Sequence, residues 1–348
     1  MQSAHSLFLR ISGGVAIFNN LLLITLILFR SHRKVGKYKY LMIYISVFEI
    51  MYAIVDICAV PEIYTHDSMF AVVIYADQVF APNFLLVAFD NLFCLCFGIS
   101  MAIFAIHFIY RFLTVSEHTA VMNYDSQLVF LLLSFPIIFG AFWFWDVYYF
   151  IYPFEEADQF LSENFLERIG KNISDVTYVG PFFWPIGPNG HSHIHWKSAI
   201  GILMMILGIM VSFGLILVFG YKCYRETKEM IERATHSASF NKLQSQLFYA
   251  LVSQTAIPVV LMHIPASMGF IAAFFNSSFE LLGHISSITI CLYPTLDPLP
   301  NFFIIKNYRE AICSFIRKIL RIKGATVDVT AAGSEMVSYA VPAPAPAN

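Results

Sequence analysis

Continuously apolar runs such as LLLITLILF (21–29) and IGILMMILGIMVSFGLILVFG (200–220) alternate along the chain with short polar segments. A bilayer core of roughly 30 Å needs about 20 apolar helical residues. Seven blocks reach that length, approximately Ile11–Phe29, Tyr40–Val60, Phe84–Phe112, Leu128–Ile151, Ile200–Tyr221, Leu247–Phe275 and Ile285–Ile305. The alternation of a membrane barrel is absent, and unbroken apolar character of this length is the mark of lipid-facing helices. The pattern predicts an all-α membrane protein, a seven-helix bundle.

Composition agrees with the pattern. Of 348 residues, 58% are hydrophobic and only 13% charged, with a mean hydropathy of +0.67. The blocks leave no room for a separate soluble domain, which argues against an enzyme head on a membrane stalk. Charge then sets orientation. Seventeen of the 21 Lys and Arg residues fall in one set of connecting segments, and only Arg10, Arg168, Lys171 and Lys197 fall in the other. The basic set belongs in the cytoplasm, so the N-terminus lies outside. The first block lacks a basic leader and is followed by RSHRKVGKYK, which predicts a retained span rather than a cleaved signal peptide.

The long outer loop, about 152–197, is acidic and contains the sequon Asn172-Ile173-Ser174; a second sequon, Asn276-Ser277-Ser278, follows the sixth span. Both are candidate glycosylation sites on the outer side. The six cysteines all lie in or beside spans and predict packing rather than a disulfide framework. Cys313 sits on KNYREAICSFIRKILRIK, whose apolar residues recur at helical spacing among basic ones. That describes an inner-surface helix over 306–323 with Cys313 as a palmitoylation candidate or a plainly buried thiol. Residues 1–323 form the seven-span membrane domain on this account, and the tail 324–348, ending in VPAPAPAN, is expected to be disordered and cytoplasmic.

Ionisable residues within spans are costly and default to functional candidates. Glu49 lies about 13 Å above the cytoplasmic start of span 2 and Asp297 about 12 Å above the end of span 7. At similar depth, the two carboxylates form either a pair that shares a proton or holds a cation, or two separately hydrogen-bonded groups. Pro294, Pro298 and Pro300 flank Asp297, remove backbone donors, and predict a kinked hinge. Pro258 and Pro265 act similarly in span 6. Asp90 and Asn91 in span 3, with Asp56 and Glu62 near the outer end of span 2, are candidate ligand contacts or, more simply, groups hydrogen-bonded to internal water, and Asp146 in span 4 is a similar candidate. His191, His193 and His195 alternate along HSHIH, which is an ordinary polar loop or, less simply, a zinc or copper site; no metal or other cofactor is assigned. Arg111 is the single basic residue between spans 3 and 4, placed to snorkel to the interface or to reach neighbouring helices.

The segments GKYKYLMIYISVFEIMYAIVD (36–56), AIHFIYRFLTV (105–115), LQSQLFYALVSQTAIPVVLMHIP (243–265) and LYPTLDPLPNFFIIKNYREAI (292–312) resemble, in order, the nematode serpentine chemoreceptors of the Str type, class r. The resemblance implies a G protein-coupled chemosensory receptor, olfactory in use, for a small environmental chemical or odorant. It also implies a multi-pass plasma-membrane protein of chemosensory neurons and their cilia, with a heterotrimeric G protein and membrane lipids as partners and no nucleic acid. On that basis His107, Tyr110 and Arg111 stand where rhodopsin-like receptors have an acidic-Arg-Tyr motif, and Asp297-Pro298 stands for their Asn-Pro. A cytoplasmic cleft would then be lined by Arg111, Lys222, Arg225, Lys228, Lys242, Lys306 and Arg309. No acid precedes Arg111, Asn301 replaces a tyrosine, and no cysteine pair ties span 3 to the outer loop, so the ionic lock and disulfide-pinned lid are not expected. A transporter would show three-span repeats, and a channel a polar pore helix; neither is visible. Glu49 with Asp297 is the nearest approach to an intramembrane catalytic pair, and no enzyme activity is expected.

Overall fold

The computed structural model describes residues 2–79, 85–116, 119–187, 189–232 and 237–319, with the side chains of 2, 3, 34, 119–125 and 319 excepted. Eleven α-helices account for most of it. Helix α1 (Gln2–Arg30) packs along α2 (Tyr38–Ala59); α3 (Leu86–Val115) is the central helix, meeting α2, α4 (Thr119–Phe150) and α6 (Trp196–Glu232). The short α5 (Glu155–Leu161) lies in the outer loop. Span 6 is a composite of α7 (Ala238–Pro258), a π-helical turn Val259–His263 and α8 (Ile264–Phe274). Span 7 is α9 (Glu280–Leu296) and α10 (Leu299–Ile304), after which α11 (Lys306–Ile319) turns away at 96°. Among the described residues, six helices are individually long and apolar enough to cross a bilayer, and the α9–α10 segment with its bent partner makes the seventh.

Several helices outrun the apolar blocks. Helix α6 continues to Glu232, about 16 Å beyond Tyr221 at 1.5 Å per residue. Hydropathy registers only the part of a helix in contact with lipid, whereas hydrogen bonding carries the helix on into the cytoplasm.

The proline-rich part of span 7 is interrupted between Leu296 and Leu299. Pro298 lacks the N–H that would bond the carbonyl of Pro294. Asn20 Nδ2, fully buried on α1, donates to that carbonyl at 3.2 Å, and Asn19 Nδ2 donates to the carbonyl of Thr295 at 2.9 Å. The break is therefore repaired from a neighbouring helix, as a hydrocarbon environment demands.

The outer face carries an antiparallel sheet in the order β1 (Glu62–His66), β2 (Met69–Tyr75), β3 (Val176–Val179). Glu62 pairs with Val73, and Val72 with Val179. Asp67, at φ 47°, closes the tight β1–β2 turn, a conformation that Asp tolerates. Every residue of β2 is buried, so MFAVVIY reads as one apolar run and shows no alternation; a strand covered on both faces has that signature. One face meets the bundle, and the other is covered by Leu161, Phe165 and Leu166 of the outer loop. Gly283 lets β1 sit directly on α9: a Cβ there would lie 2.3 Å from the Ile63 carbonyl oxygen. Ile63 N–H donates to Ser287 Oγ at 2.7 Å, and Gly283 N–H to Thr65 Oγ1 at 3.0 Å.

Candidate functional site

Beneath this sheet the bundle forms a cavity of about 160 Å³. Phe70 and Val72 of β2 form its roof, Phe93 and Phe97 of α3 and Trp143 of α4 its inner wall, and Met205 of α6 and Phe270 of α8 its outer wall. Trp143 lies flat over Gly98, where any Cβ would stand 2.2 Å from the ring. A few groups on the wall have hydrogen-bonding ability, notably His263, Ser267 and the Cys94 thiol. His263 is buried, placed by the π-helical turn that follows Pro258, with Nε2 3.2 Å from Ser100 Oγ and its ring 4.7 Å from that of Phe97. A π-turn inserts one residue per turn and re-aims the side chains beyond it. A lining so apolar, in a volume comparable to the roughly 150 Å³ cavities that take up benzene, accommodates a small, mainly hydrophobic molecule with one polar group.

The four residues picked from sequence as ligand contacts stand elsewhere. Asp90 is fully buried one turn above Cys94, and neither carboxyl oxygen is hydrogen-bonded among the described residues. Asn91 donates to its own helix at Val87, and Asp56 is buried in α2. Glu62 accepts from Tyr75 Oη at 2.9 Å and lies 3.6 Å from His284 Nδ1; it holds the hairpin. None of the four lines the cavity. Polarity singles out a residue in an apolar span, but this chamber is built from Phe, Trp, Met and Ile, which sequence cannot distinguish from lipid-facing neighbours. Asp146 is also buried, with both carboxyl oxygens unpartnered among the described residues.

Deeper in the bundle, Glu49 and Asp297 are both buried and close enough to interact directly. Tyr293 Oη donates to Glu49 at 3.3 Å, and Gln254 Nε2 donates to Asp297 Oδ2 at 2.7 Å. Gln254 thus ties α7 to the span 7 break. Pro298 lies at that break, Pro300 opens α10, Pro294 sits inside α9, and Pro265 lies in the first turn of α8.

At the cytoplasmic end Arg111 is 1% exposed. Nη1 donates to Gln244 Oε1 at 2.5 Å, Nη2 donates to the Gln244 carbonyl at 2.9 Å, and the guanidinium carbon lies 5.2 Å from the Tyr38 ring centroid. Tyr38 also stacks on Tyr110 and lies 3.3 Å from His107 Nδ1. Snorkelling does not describe this arginine, because its charge is turned inward onto α7. Gln244 was invisible as a partner, since a glutamine near a helix start signals nothing alone. The basic rim is largely paired: Arg225 with Glu229, Lys228 with Glu232 and Lys306 with Glu310, each at i,i+4. Arg309 donates to the Phe303 carbonyl at 2.7 Å. Lys222 lies over Phe112 and Phe219, and Lys242 is exposed.

Asn172 in the outer loop and Asn276 in the turn after α8 are exposed, and Cys313 is exposed on α11. All six cysteines are free thiols. His195 stacks on Phe154 at 4.0 Å, with Nδ1 2.8 Å from Ser198 Oγ; burial, assisted by Lys197, holds its pKa below the ordinary histidine value. Among the described residues, His191, His193 and His195 do not converge with other side chains into a metal-ligand set.

Residues 5–313 match the family model for the serpentine type 7TM GPCR chemoreceptor Str. The chain belongs to this receptor family. It is 30% identical over 311 residues to the G-protein coupled receptor str-217 of Caenorhabditis elegans, covering 88% of each chain. It is 30% identical to the serpentine receptor class r-10 of the same species, covering 82% of this chain and 83% of that one. Among solved structures it is similar to squid rhodopsin, with a TM-score of 0.60 at 11% identity over 92% of this chain and 86% of that one, which supports the fold alone. The Str chain is accordingly a multi-span membrane protein of the G protein-coupled receptor class, and its family is not enzymatic.

Proposed function

We propose that this Str receptor binds a small, mainly apolar environmental chemical in the cavity beneath the outer sheet and promotes nucleotide exchange on a heterotrimeric G protein. One observation carries the reading: a single composite helix, α7–α8, presents His263 to the cavity, Gln254 to Asp297 and Gln244 to Arg111. Those side chains span about 28 Å of one helix. A ligand that fits better when α8 has shifted favours the shifted state by its differential affinity. The same shift moves Gln254 off the span 7 break and Gln244 off Arg111. On this reading the arrangement in which Arg111 is buried and doubly hydrogen-bonded is the closed one. Releasing it, with His107 and Tyr110 beside it, opens a cleft rimmed by Lys222, Arg225, Lys228, Lys242, Lys306 and Arg309. Exposed i,i+4 ion pairs hold for only about 0.3–0.5 kcal/mol, so a partner's acidic surface exchanges with them easily. Olfactory use in the cilia of chemosensory neurons, glycans on Asn172 and Asn276, and a palmitoyl chain on Cys313 complete the proposal.

The test is a panel of small volatile chemicals applied to cells expressing the receptor, read as calcium or current with and without G-protein blockade, alongside Trp143→Ala and His263→Phe variants. A response abolished by blockade and altered in potency by both variants is expected. A response that persists under blockade means that the chain conducts or transports, and it overturns the reading.

A further inference from the structure

The cavity is closed toward water and open toward lipid. All its roof residues are buried: Phe70, Val72, Val179, Gly180 and Pro181. The roof is covered in turn by the outer loop and fastened at its margins. Trp184 Nε1 donates to the Phe274 carbonyl at 2.7 Å, Ser278 Oγ donates to the Asp67 carbonyl at 2.7 Å, and β1 is bonded to α9 through Ile63–Ser287 and Thr65–Gly283. A molecule arriving from water would have to push through both layers.

On the side wall the situation is reversed. Of the residues lining the cavity, those that are exposed are Ile206 and Met210, at 47% and 61%, and Ser267. All three lie where α6 faces α8. Helix α6 packs on α3, α4 and α7, whereas α8 packs on α9 and the hairpin. Lower down α6 meets α7, where the Tyr224 and Phe248 ring centroids are 6.2 Å apart, and above that point the space between α6 and α8 is the cavity. Ile206 lies about 15 Å below the outer start of α6 and Ser267 about 10 Å below the outer end of α8, a depth filled by hydrocarbon. The residues around them, Leu203, Leu207, Ile264 and Met268, are exposed and apolar, as a lipid-facing surface is.

We propose that the gap between α6 and α8, edged by Ile206, Met210 and Ser267, is a lateral portal through which ligand enters from the outer leaflet. This rests on the cavity being the ligand site, and it narrows the ligand class. The molecules taken up are those that first dissolve in the bilayer, small and mainly apolar with at most one uncharged polar group. Permanently charged or strongly hydrated chemicals are not delivered to the cavity.

The probe is 3-phenyl-3-(trifluoromethyl)diazirine, an apolar, benzene-sized photolabel, added by rapid mixing to full-length receptor in lipid nanodiscs. Samples are flashed at increasing delays, and the labelled peptides are mapped by mass spectrometry. Trp143 and Phe97 report the cavity, and Phe130, 76% exposed on α4, reports the lipid face and correct insertion. In Ser267→Phe and, independently, Met210→Trp, cavity labelling is expected to slow by about tenfold, as for an access-limited association step, while Phe130 labelling keeps its wild-type rate. Cavity labelling at the wild-type rate in both variants, whatever its final level, overturns the portal and leaves the cavity as a binding site. No labelling of Trp143 or Phe97 in the wild-type receptor overturns the cavity as a binding site, and the portal with it.

Discussion

Gln244→Ala removes the side-chain half of the clamp on Arg111. The bond lost, from Nη1 to Oε1 at 2.5 Å, involves a charged donor in a site from which water is excluded, and such bonds contribute roughly 1.5–3 kcal/mol. The bond to the Gln244 carbonyl survives, so this range covers one bond. If the contact exists only in the closed state, its whole value is subtracted from that state, and the open population rises roughly 10- to 160-fold while it remains minor. The assay is ligand-free GTPγS exchange on purified heterotrimer, with receptor in nanodiscs at equal, binding-competent amounts. Gln244→Ala should raise the basal rate. Gln244→Glu should lower it, because a carboxylate facing the guanidinium strengthens the same clamp. Basal exchange that is unchanged in Gln244→Ala, or that moves in the same direction in both variants, would refute the reasoning. Arg111→Ala should lose ligand-evoked exchange while still reaching the cell surface.

The carboxylates offer a second test: Glu49→Gln and Asp297→Asn should shift ligand potency non-additively, with a coupling of about 0.5–3 kcal/mol for groups in contact, and additive shifts would show that the two act separately. Asn172→Gln should abolish most of the mass lost on PNGase F treatment, since Asn172 is exposed on the outer loop; an unchanged gel shift would place the glycan elsewhere. His195 contributes pH dependence. Its folded-state pKa is lowered, so the unfolded chain takes up a proton that the fold resists, and the stability His195 contributes is full above about pH 6.5 and erodes as pH falls through that value. The melting temperature of purified receptor should therefore fall less steeply between pH 7.5 and 5.5 in His195→Gln than in wild type, and equal slopes would remove His195 from the account.

The membrane class, the number of spans and their orientation were determined by the sequence itself, because each depends on local quantities: the length of an apolar run and the side on which Lys and Arg accumulate. The depth match of Glu49 and Asp297 and the interruption at Pro298 were legible for the same reason, as counts along a helix. Tertiary structure alone decided what those features touch. The β1–β2 hairpin is hidden in sequence because burial on both faces removes alternation. The cavity is hidden because Phe97, Trp143 and Met205 are the residue types that lipid also selects. Asn20, Gln254 and Gln244 acquire their roles only when a carbonyl, a carboxyl and a guanidinium from remote segments arrive opposite them. An apolar solvent forces every polar group to find a partner inside the bundle, but which partner it finds is a property of packing, and packing is not written in any one span.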